Sequence, residues 1–271
     1  MTRPGLLAVD QLEGGGWTVV EILAEPPAGG GHLPGAVATT LHRSFALQRP
    51  GRNLDYDLPS AEEFAAEMAR LGLTPGANVV FADEGMNRWA TRAYWLCRYY
   101  GHAGEVRVLD GGLPAARAAG LATAGAPSAA TPAAYPTPAV AEPRLRVTAD
   151  ELAAAIRAGT VTACDVRTTA EYTGATAMSG RAGHLPGAIH VEWARCLTPD
   201  GRFLDDAGLR RVLAPYLEGG GELVTYCQGG IRASLTWFAL DVLLGRPAQL
   251  YAGSWEDWAQ RPDLPAEVSV T

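Results

Sequence analysis

The stretch GHLPGAV at residues 31–37 is repeated as GHLPGAI at residues 183–189, with one conservative change at the last position. Two further pairs of similar segments follow in the same order: residues 79–85 (VVFADEG) with 223–229 (LVTYCQG), and residues 108–112 (VLDGG) with 249–253 (QLYAG). Several collinear matches indicate two homologous domains that differ by small loop insertions. One copy can therefore serve as an internal control for the other.

Short β-branched runs alternate with amphipathic segments in both halves. The predicted strands are residues 18–23, 78–82 and 106–109 in the first half, and residues 161–166, 222–226 and 248–251 in the second. Capping boxes at Ser60 and Thr148 predict helix starts, because the hydroxyl and the following glutamate can satisfy free amides of the first turn. This alternation predicts an α/β fold in which each domain has a central, mostly parallel sheet flanked by helices.

A segment rich in Ala, Pro and Thr separates the two copies and shows little periodicity. Such a composition is typical of a linker that runs over the surface. We therefore predict an N-terminal domain at residues 1–125, a linker at residues 126–143 and a C-terminal domain at residues 144–271.

The charged residues exclude several kinds of chemistry. The chain has 271 residues, 29 of them acidic and 22 basic, and every basic residue is arginine. Without lysine, Schiff-base chemistry and the phosphate-binding GK[ST] loop are excluded. A net charge of -7 and the lack of a basic cluster argue against nucleic-acid or anionic-membrane partners. No long apolar segment is present, so we expect a soluble cytoplasmic protein.

Cys227 is the strongest candidate for a reactive residue. It comes directly after the predicted strand 222–226 and before Gly229, Gly230 and an apolar helical segment. Ligand sites of parallel sheets lie at the carboxyl ends of strands. Two glycines allow the loop to curl so that successive amides face one sulfur atom, and the helix N-terminus also favours negative charge there. These donors would stabilise a thiolate.

The other cysteines fit structural roles. The four cysteines have neither CxxC nor metal-ligand spacing, so we expect no disulfide framework and no metal site. Cys97 and Cys164 are predicted to be buried, and Cys196 is predicted to lie in a loop or at the surface. The first copy has Asp83 at the position of Cys227. One half is therefore predicted to be catalytic and the other to be a degenerate partner.

Three motifs together resemble those of tandem-domain rhodaneses, the thiosulfate and 3-mercaptopyruvate sulfurtransferases. They are the duplicated GH[LI]PGA element, the Cys-x4-Arg loop of the C-terminal half, and AQLYAGSWEDW at residues 248–258. The resemblance implies two rhodanese-like domains, an inactive N-terminal one with Asp83, and a site in the cleft between them. It implies that Cys227 carries a sulfane sulfur as a persulfide, from a small-molecule donor such as thiosulfate to cyanide or a thiol, without a cofactor.

The resemblance also implies which residues surround the donor. They are the members of the cysteine loop: Gln228, Gly229, Gly230, Ile231 and Arg232. Asp165 and Arg167 are predicted to form an ion pair that supports this loop, with direct substrate contact as the alternative. Relatives place an arginine four residues beyond Arg167 to hold the donor's anionic end, but Glu171 stands there. A carboxylate would repel thiosulfate, which leaves Arg232, or less directly Arg181 or Arg195, for donor recognition.

Three other functions remain open on the sequence. The loop matches neither the thiosulfate-type nor the mercaptopyruvate-type pattern, so 3-mercaptopyruvate is an alternative donor. A persulfide carrier that does not turn over small donors is a second alternative. A cysteine-dependent phosphatase is a third, disfavoured because such enzymes use Cys-x5-Arg, whereas Arg232 follows Cys227 as Cys-x4-Arg.

Overall fold

The computed structural model describes residues 3–49, 56–123 and 125–268. The chain forms two compact units. Unit 1 comprises Met1–Leu47, Leu58–Pro143 and Pro199–Phe203, and unit 2 comprises Gln48–Asp57, Arg144–Thr198 and Leu204–Thr271. Each unit thus takes a short segment from the other half of the sequence, which the repeat alone did not indicate.

Unit 1 is built on a parallel sheet of five strands. The strands are β1 (Leu6–Leu7), β2 (Thr18–Leu23), β3 (Val37–Thr40), β4 (Val79–Asp83) and β5 (Val106–Leu109). The helices are α1 (Leu41–Ser44), α2 (Ala61–Arg70), α3 (Arg88–Tyr100) and α4 (Gly112–Ala118), with a 3-10 turn at Val9–Gly14. The order across the sheet is β1-β5-β4-β2-β3, and every pairing is parallel.

Unit 2 repeats this plan with a parallel sheet of four strands. Its strands are β6 (Val161–Asp165), β7 (Ile189–His190), β8 (Glu222–Tyr226) and β9 (Ala248–Leu250). Its helices are α5 (Ala149–Ala158), α6 (Thr169–Tyr172), α7 (Asp206–Val212), α8 (Ala214–Leu217), α9 (Ile231–Trp237) and α10 (Ser254–Ala259). Short 3-10 segments lie at Pro143–Leu145 and Trp193–Cys196, and a π-helical turn, Phe238–Leu243, continues α9. The strand order is β7-β6-β8-β9, again all parallel.

The predicted α/β architecture is confirmed, and each predicted strand differs from the observed one by no more than a residue at either end. Both predicted capping boxes are also present. The Ser60 hydroxyl accepts the Glu63 amide at the start of α2, and the Thr148 hydroxyl accepts the Glu151 amide at the start of α5. None of the helices among residues 3–49, 56–123 and 125–268 has the length and apolar character required to cross a bilayer.

The cores pack apolar side chains of the sheets against those of the helices. In unit 1 the core includes Leu33, Val80, Leu109, Leu113 and Ala116, and in unit 2 it includes Leu152, Leu185, Val224, Trp255 and Trp258. Full burial of one such aliphatic side chain contributes about 1.5–3 kcal/mol. The repeated GH[LI]PGA turn supplies Leu33 and Leu185 to equivalent places, which explains its sequence pattern.

The segment predicted as a linker has no helix or strand between residue 125 and Pro143. It nevertheless runs along unit 1 and makes backbone hydrogen bonds to it. The amide of Ser128 donates to the Ala36 carbonyl, and the amide of Ala133 donates to the Ala69 carbonyl. The segment is therefore fixed to one unit along its length, and the domain boundary at residues 126–143 stays a prediction.

Register in the unit 2 sheet determines where the candidate site forms. Asp165, the last residue of β6, is paired with Tyr226, the last residue of β8. Because parallel strands end at the same edge, the residues that follow β6 and β8 emerge side by side. Cys227 is the first residue after β8.

Candidate active site around Cys227

Cys227 lies between β8 and α9, as the sequence predicts, and its exposed fraction is 1%. The loop turns sharply at Gly230, whose φ of 84° is in the left-handed region. A Cβ atom on Gly230 would approach the Ala252 carbonyl oxygen to 2.6 Å. This position therefore requires glycine for both its dihedral angle and its packing.

Hydrogen bonds fix the cysteine on both sides. The Gly230 amide donates to the Cys227 sulfur at 3.1 Å. The Cys227 amide donates to the Ser254 hydroxyl at 3.0 Å, and the Cys227 carbonyl accepts from the Trp255 amide. Ser254 is buried and has a φ of 56°, an uncommon conformation for a non-glycine residue. The motif at residues 248–258 thus holds the cysteine backbone, a role that was not assigned to Ser254 from the sequence.

Arg232 forms a bidentate ion pair with Glu171. Its Nη1 and Nη2 atoms each donate to one carboxylate oxygen at 2.7 Å. Burial lowers the pKa of Arg232, but the Glu171 carboxylate and Cys227 raise it by more, so its pKa lies above the ordinary value. The arginine fork therefore faces a carboxylate of its own unit.

Glu171 is held rigidly by its own helix. Its side chain accepts from the amide and the hydroxyl of Thr168, which caps α6. Burial raises the pKa of Glu171, whereas Arg232 and Thr168 lower it by more, to about 2. The Glu171 carboxylate, which is expected from the sequence to repel thiosulfate, is consequently ionised and paired with Arg232.

Gln228 and Tyr56 complete the surroundings of the loop. The Gln228 side-chain amide donates to the Ser179 hydroxyl. The Tyr56 ring packs on Gly229 so closely that a Cβ atom there would lie 2.1 Å from Cδ2 of the ring. Tyr56 was missed in the sequence because it comes from the segment Gln48–Asp57, far from Cys227 along the chain.

Asp165 and Arg167 form a fully buried pair behind the loop. The Arg167 guanidinium binds the Asp165 carboxylate, with Nη2 to Oδ2 at 2.6 Å, and donates to the Gly183 carbonyl. It also lies 4.8 Å from the Trp255 ring centroid. The exposed fractions of the two side chains are 1% or less. The geometry is that of a supporting ion pair, and its role in the loop stays a prediction.

The equivalent loop of unit 1 is closed by its own aspartate. The Asp83 carboxylate is fully buried and accepts four backbone amides, those of Gly85, Asn87, Trp89 and Ala90, at 2.8–3.1 Å. Burial raises the pKa of Asp83, and these amide hydrogen bonds lower it in part. The position that carries a thiol in unit 2 thus carries a carboxyl group in unit 1, held by the amides of its own loop. The loop of unit 1 has no nucleophile at this position.

The remaining cysteines are buried and unreactive in character. Cys97 and Cys164 lie in the cores, as predicted, and burial raises the pKa of both thiols. The prediction for Cys196 is wrong, because its exposed fraction is 0% and burial raises its pKa to about 12. It ends the 3-10 turn at Trp193–Cys196, where a short helical turn folds the thiol inward. All four cysteines are free thiols.

Comparison with known protein families finds the same duplication as the internal repeat. The Rhodanese-like domain family matches the chain twice, at residues 8–119 and 148–261. A thiosulfate sulfurtransferase of Corynebacterium glutamicum is 35% identical over 248 residues, which cover 88% of this chain and 80% of that protein. A probable 3-mercaptopyruvate sulfurtransferase of Pseudomonas aeruginosa is 35% identical and is covered to 83%, with 86% of this chain matched.

Two further proteins are similar to this chain. The sulfur carrier protein TtuD of Thermus thermophilus is 33% identical, over 87% of this chain and 85% of that protein. Among solved structures, the anaerobic ergothioneine biosynthesis enzyme from Chlorobium limicola superposes with a TM-score of 0.85 at 22% identity, over 98% of this chain and 71% of that chain. This second likeness concerns the fold alone. On its two family matches and its relatives, the chain belongs to the rhodanese-like family, with two copies of the family's domain.

Proposed function

We propose that the chain is a sulfurtransferase that moves a sulfane sulfur from thiosulfate to cyanide or a thiol through a persulfide on Cys227. The observation that carries the proposal is the position of Cys227 at the carboxyl end of β8, in a loop that turns a backbone amide towards its sulfur. The Gly230 amide donates to the Cys227 sulfur. Relatives named thiosulfate sulfurtransferase support the reaction class.

The reaction needs two displacements on sulfur. The Cys227 thiolate attacks the outer sulfur of thiosulfate, the sulfur–sulfur bond of thiosulfate breaks, and its electron pair leaves on sulfite. Cys227 then carries a persulfide anion. Cyanide or a thiolate attacks the outer persulfide sulfur, and the electron pair of that second sulfur–sulfur bond returns to Cys227 as the thiolate. No oxidant, reductant or cofactor enters this balance.

The unit 1 loop supports an assignment for the outer sulfur. An aspartate oxygen is one bond further from the backbone than a cysteine sulfur, as is the outer sulfur of a persulfide. The amides of Gly85, Asn87 and Trp89 bind Asp83 in unit 1. By the sequence alignment, the amides of Gly229, Ile231 and Ala233 are their equivalents in unit 2. These amides would receive the negative charge of the persulfide.

The other predicted site residues then take positioning roles. Gln228 and Gly229 shape the loop beside Ser179 and Tyr56. Asp165 and Arg167 support it from behind through Tyr226, which precedes Cys227. Arg232 orders the loop through Glu171.

The test is thiocyanate formation from thiosulfate and cyanide by the purified chain. Cys227→Ser should abolish it, because a serine cannot carry the sulfur. Cys164→Ser is the matched control, since the Cys164 thiol donates to the Thr162 carbonyl and a hydroxyl can do the same. Retained activity in the Cys227 variant would refute the proposal.

Two alternatives are favoured by specific relatives. 3-Mercaptopyruvate as donor is suggested by the Pseudomonas aeruginosa relative, and a carrier role is suggested by the Thermus thermophilus relative. Parallel assays with thiosulfate and 3-mercaptopyruvate separate the donors. A stable persulfide on Cys227 with negligible thiocyanate turnover would favour the carrier.

A further inference from the structure

The charge of the arginine beside Cys227 is already balanced within unit 2. Arg232 is the one cationic residue in the loop 227–232. Both of its terminal nitrogens donate to Glu171, at 2.7 Å each, and the side chains are 16% and 5% exposed. A bidentate pair of this kind fixes the orientation of the guanidinium as well as its charge. A donor anion therefore meets a neutral pair.

The carboxylate cannot readily turn away to make room for an anion. Thr168 holds Glu171 through its amide at 3.0 Å and its hydroxyl at 2.7 Å, and the Glu171 amide donates back to the Thr168 hydroxyl. Four hydrogen bonds, two from Thr168 and two from Arg232, end on this one carboxylate. Moving it would leave charged or polar groups unpaired in a mostly buried place.

The next residue of the loop adds no positive charge. Gln228 is neutral, its exposed fraction is 8%, and its Oε1 atom is buried with no hydrogen-bond partner among the residues that the structure describes. An unpaired carbonyl oxygen favours a hydrogen-bond donor rather than an anion. Tyr56 covers Gly229 with an aromatic ring. Within the loop 227–232, the backbone amides remain as the source of positive potential, and their partial charges suit a single sulfur anion.

We propose that the Glu171–Arg232 pair makes the Cys227 site select sulfane-sulfur donors that carry one negative charge over donors that carry two. This inference rests on the proposed sulfur transfer and specifies its substrate class. A second negative charge on the donor would lose its hydration beside a pair that carries no net charge, and the loop 227–232 has no other cationic residue to offset that loss. Organic thiosulfonates and other monoanionic sulfane donors are favoured, and thiosulfate remains a donor that the site uses less efficiently.

Methanethiosulfonate and thiosulfate form a matched pair for testing this. Each presents a terminal sulfur bonded to a sulfonyl sulfur, and a methyl group in the first replaces a charged oxygen in the second. The Cys227 thiolate attacks the terminal sulfur in both. The sulfur–sulfur bond breaks, and the electron pair leaves on methanesulfinate or on sulfite. The two reactions balance identically and differ in one unit of donor charge.

The experiment measures kcat/KM and KM for both donors with cyanide as acceptor, in the wild-type chain and in Glu171→Gln. Glutamine keeps the length and the capping geometry of Glu171 but removes its charge. We expect kcat/KM for thiosulfate to rise about tenfold, mainly through a lower KM, while that for methanethiosulfonate changes much less. Taking the ratio between donors cancels their different intrinsic reactivities.

Glu151→Gln is the matched control. Glu151 occupies the same place in the capping box of Thr148 as Glu171 does in that of Thr168, so the same substitution should leave the donor ratio unchanged. A wild-type measurement keeps the test valid if Glu171→Gln does not fold. Its kcat/KM for thiosulfate should not fall as ionic strength increases, because the Glu171–Arg232 pair has no net positive charge to screen.

Three outcomes would overturn either the selection by charge or the proposed function. A donor ratio that stays the same in Glu171→Gln, with the Cys227 persulfide still formed from both donors, would overturn the selection by charge. A steep loss of thiosulfate activity with salt in the wild type would also overturn it. Failure of both donors to form a persulfide on Cys227 would instead overturn the proposed function on which the inference rests.

Discussion

The hydroxyl of Tyr226, the residue before Cys227, donates a 2.6 Å hydrogen bond to the carboxylate of Asp165. The same hydroxyl accepts the Leu185 amide of the repeated GH[LI]PGA turn. In unit 1, Glu21 accepts the equivalent Leu33 amide directly. Tyr226 therefore joins the buried Asp165–Arg167 pair, the repeated turn and the cysteine loop in one network.

Asp165→Asn should destabilise the chain strongly. The substitution leaves the buried Arg167 guanidinium without its counter-charge, and breaking a buried pair by removing one partner costs about 3–5 kcal/mol. Asp150→Asn is the control, because Asp150 pairs with Arg261 at the surface, where such a pair contributes about 1 kcal/mol or less. Urea unfolding monitored by circular dichroism measures both. Equal effects of the two substitutions would show that Asp165 is not a supporting residue.

Gly229→Ala should impair sulfur transfer without unfolding the chain. The new Cβ atom would lie 2.1 Å from the Tyr56 ring, so either the ring or the loop must move. We expect kcat/KM to fall at least about tenfold, because a displacement of about 1 Å in a catalytic loop is costly. Gly220→Ala, whose Cβ atom would have no heavy atom within 4 Å, should have no effect.

A second variant makes the Gly229 prediction specific to Tyr56. If the clash with the ring causes the loss, then Tyr56→Ala introduced into Gly229→Ala should restore part of the activity. Absence of any restoration would place the cause elsewhere than in the contact between these two residues.

The stability of the chain should depend on Glu171 in acid. The pKa of Glu171 is about 2 in the folded chain, below its ordinary value of 4.5. A pKa that is lowered by folding gives stability that is fully present above pH 4.5 and is lost as the pH falls towards 2. The difference in unfolding free energy between the wild type and Glu171→Gln should therefore be constant near neutrality and shrink in this acid range. A difference that does not change with pH would contradict the paired state of Glu171.

Much of the fold follows from local sequence features. The duplicated turn, the β-branched runs and the capping boxes at Ser60 and Thr148 depend on nearby residues, and hydrophobic patterning determines which strands are buried on both faces. The position of Cys227 at a strand end follows in the same way. These features are encoded within a few residues of where they act.

The contacts that were not predicted from the sequence depend on packing between segments that are far apart in the chain. Glu171 and Arg232 are 61 residues apart in the sequence, and their pairing becomes evident only when β6 and β8 are placed side by side. Tyr56 reaches Gly229 from the opposite half of the sequence. Cys196 was predicted to lie in a loop or at the surface, whereas it is buried at the end of a short 3-10 turn.

The central claim is that Cys227 carries the transferred sulfur. Its most direct test is the intact mass of the chain after incubation with thiosulfate and removal of excess donor, followed by peptide mapping. We predict one added sulfur atom, located on Cys227, that disappears when cyanide is added and is absent from Cys227→Ser. Persistence of the added sulfur in that variant, or its location on Cys97, Cys164 or Cys196, would contradict the account.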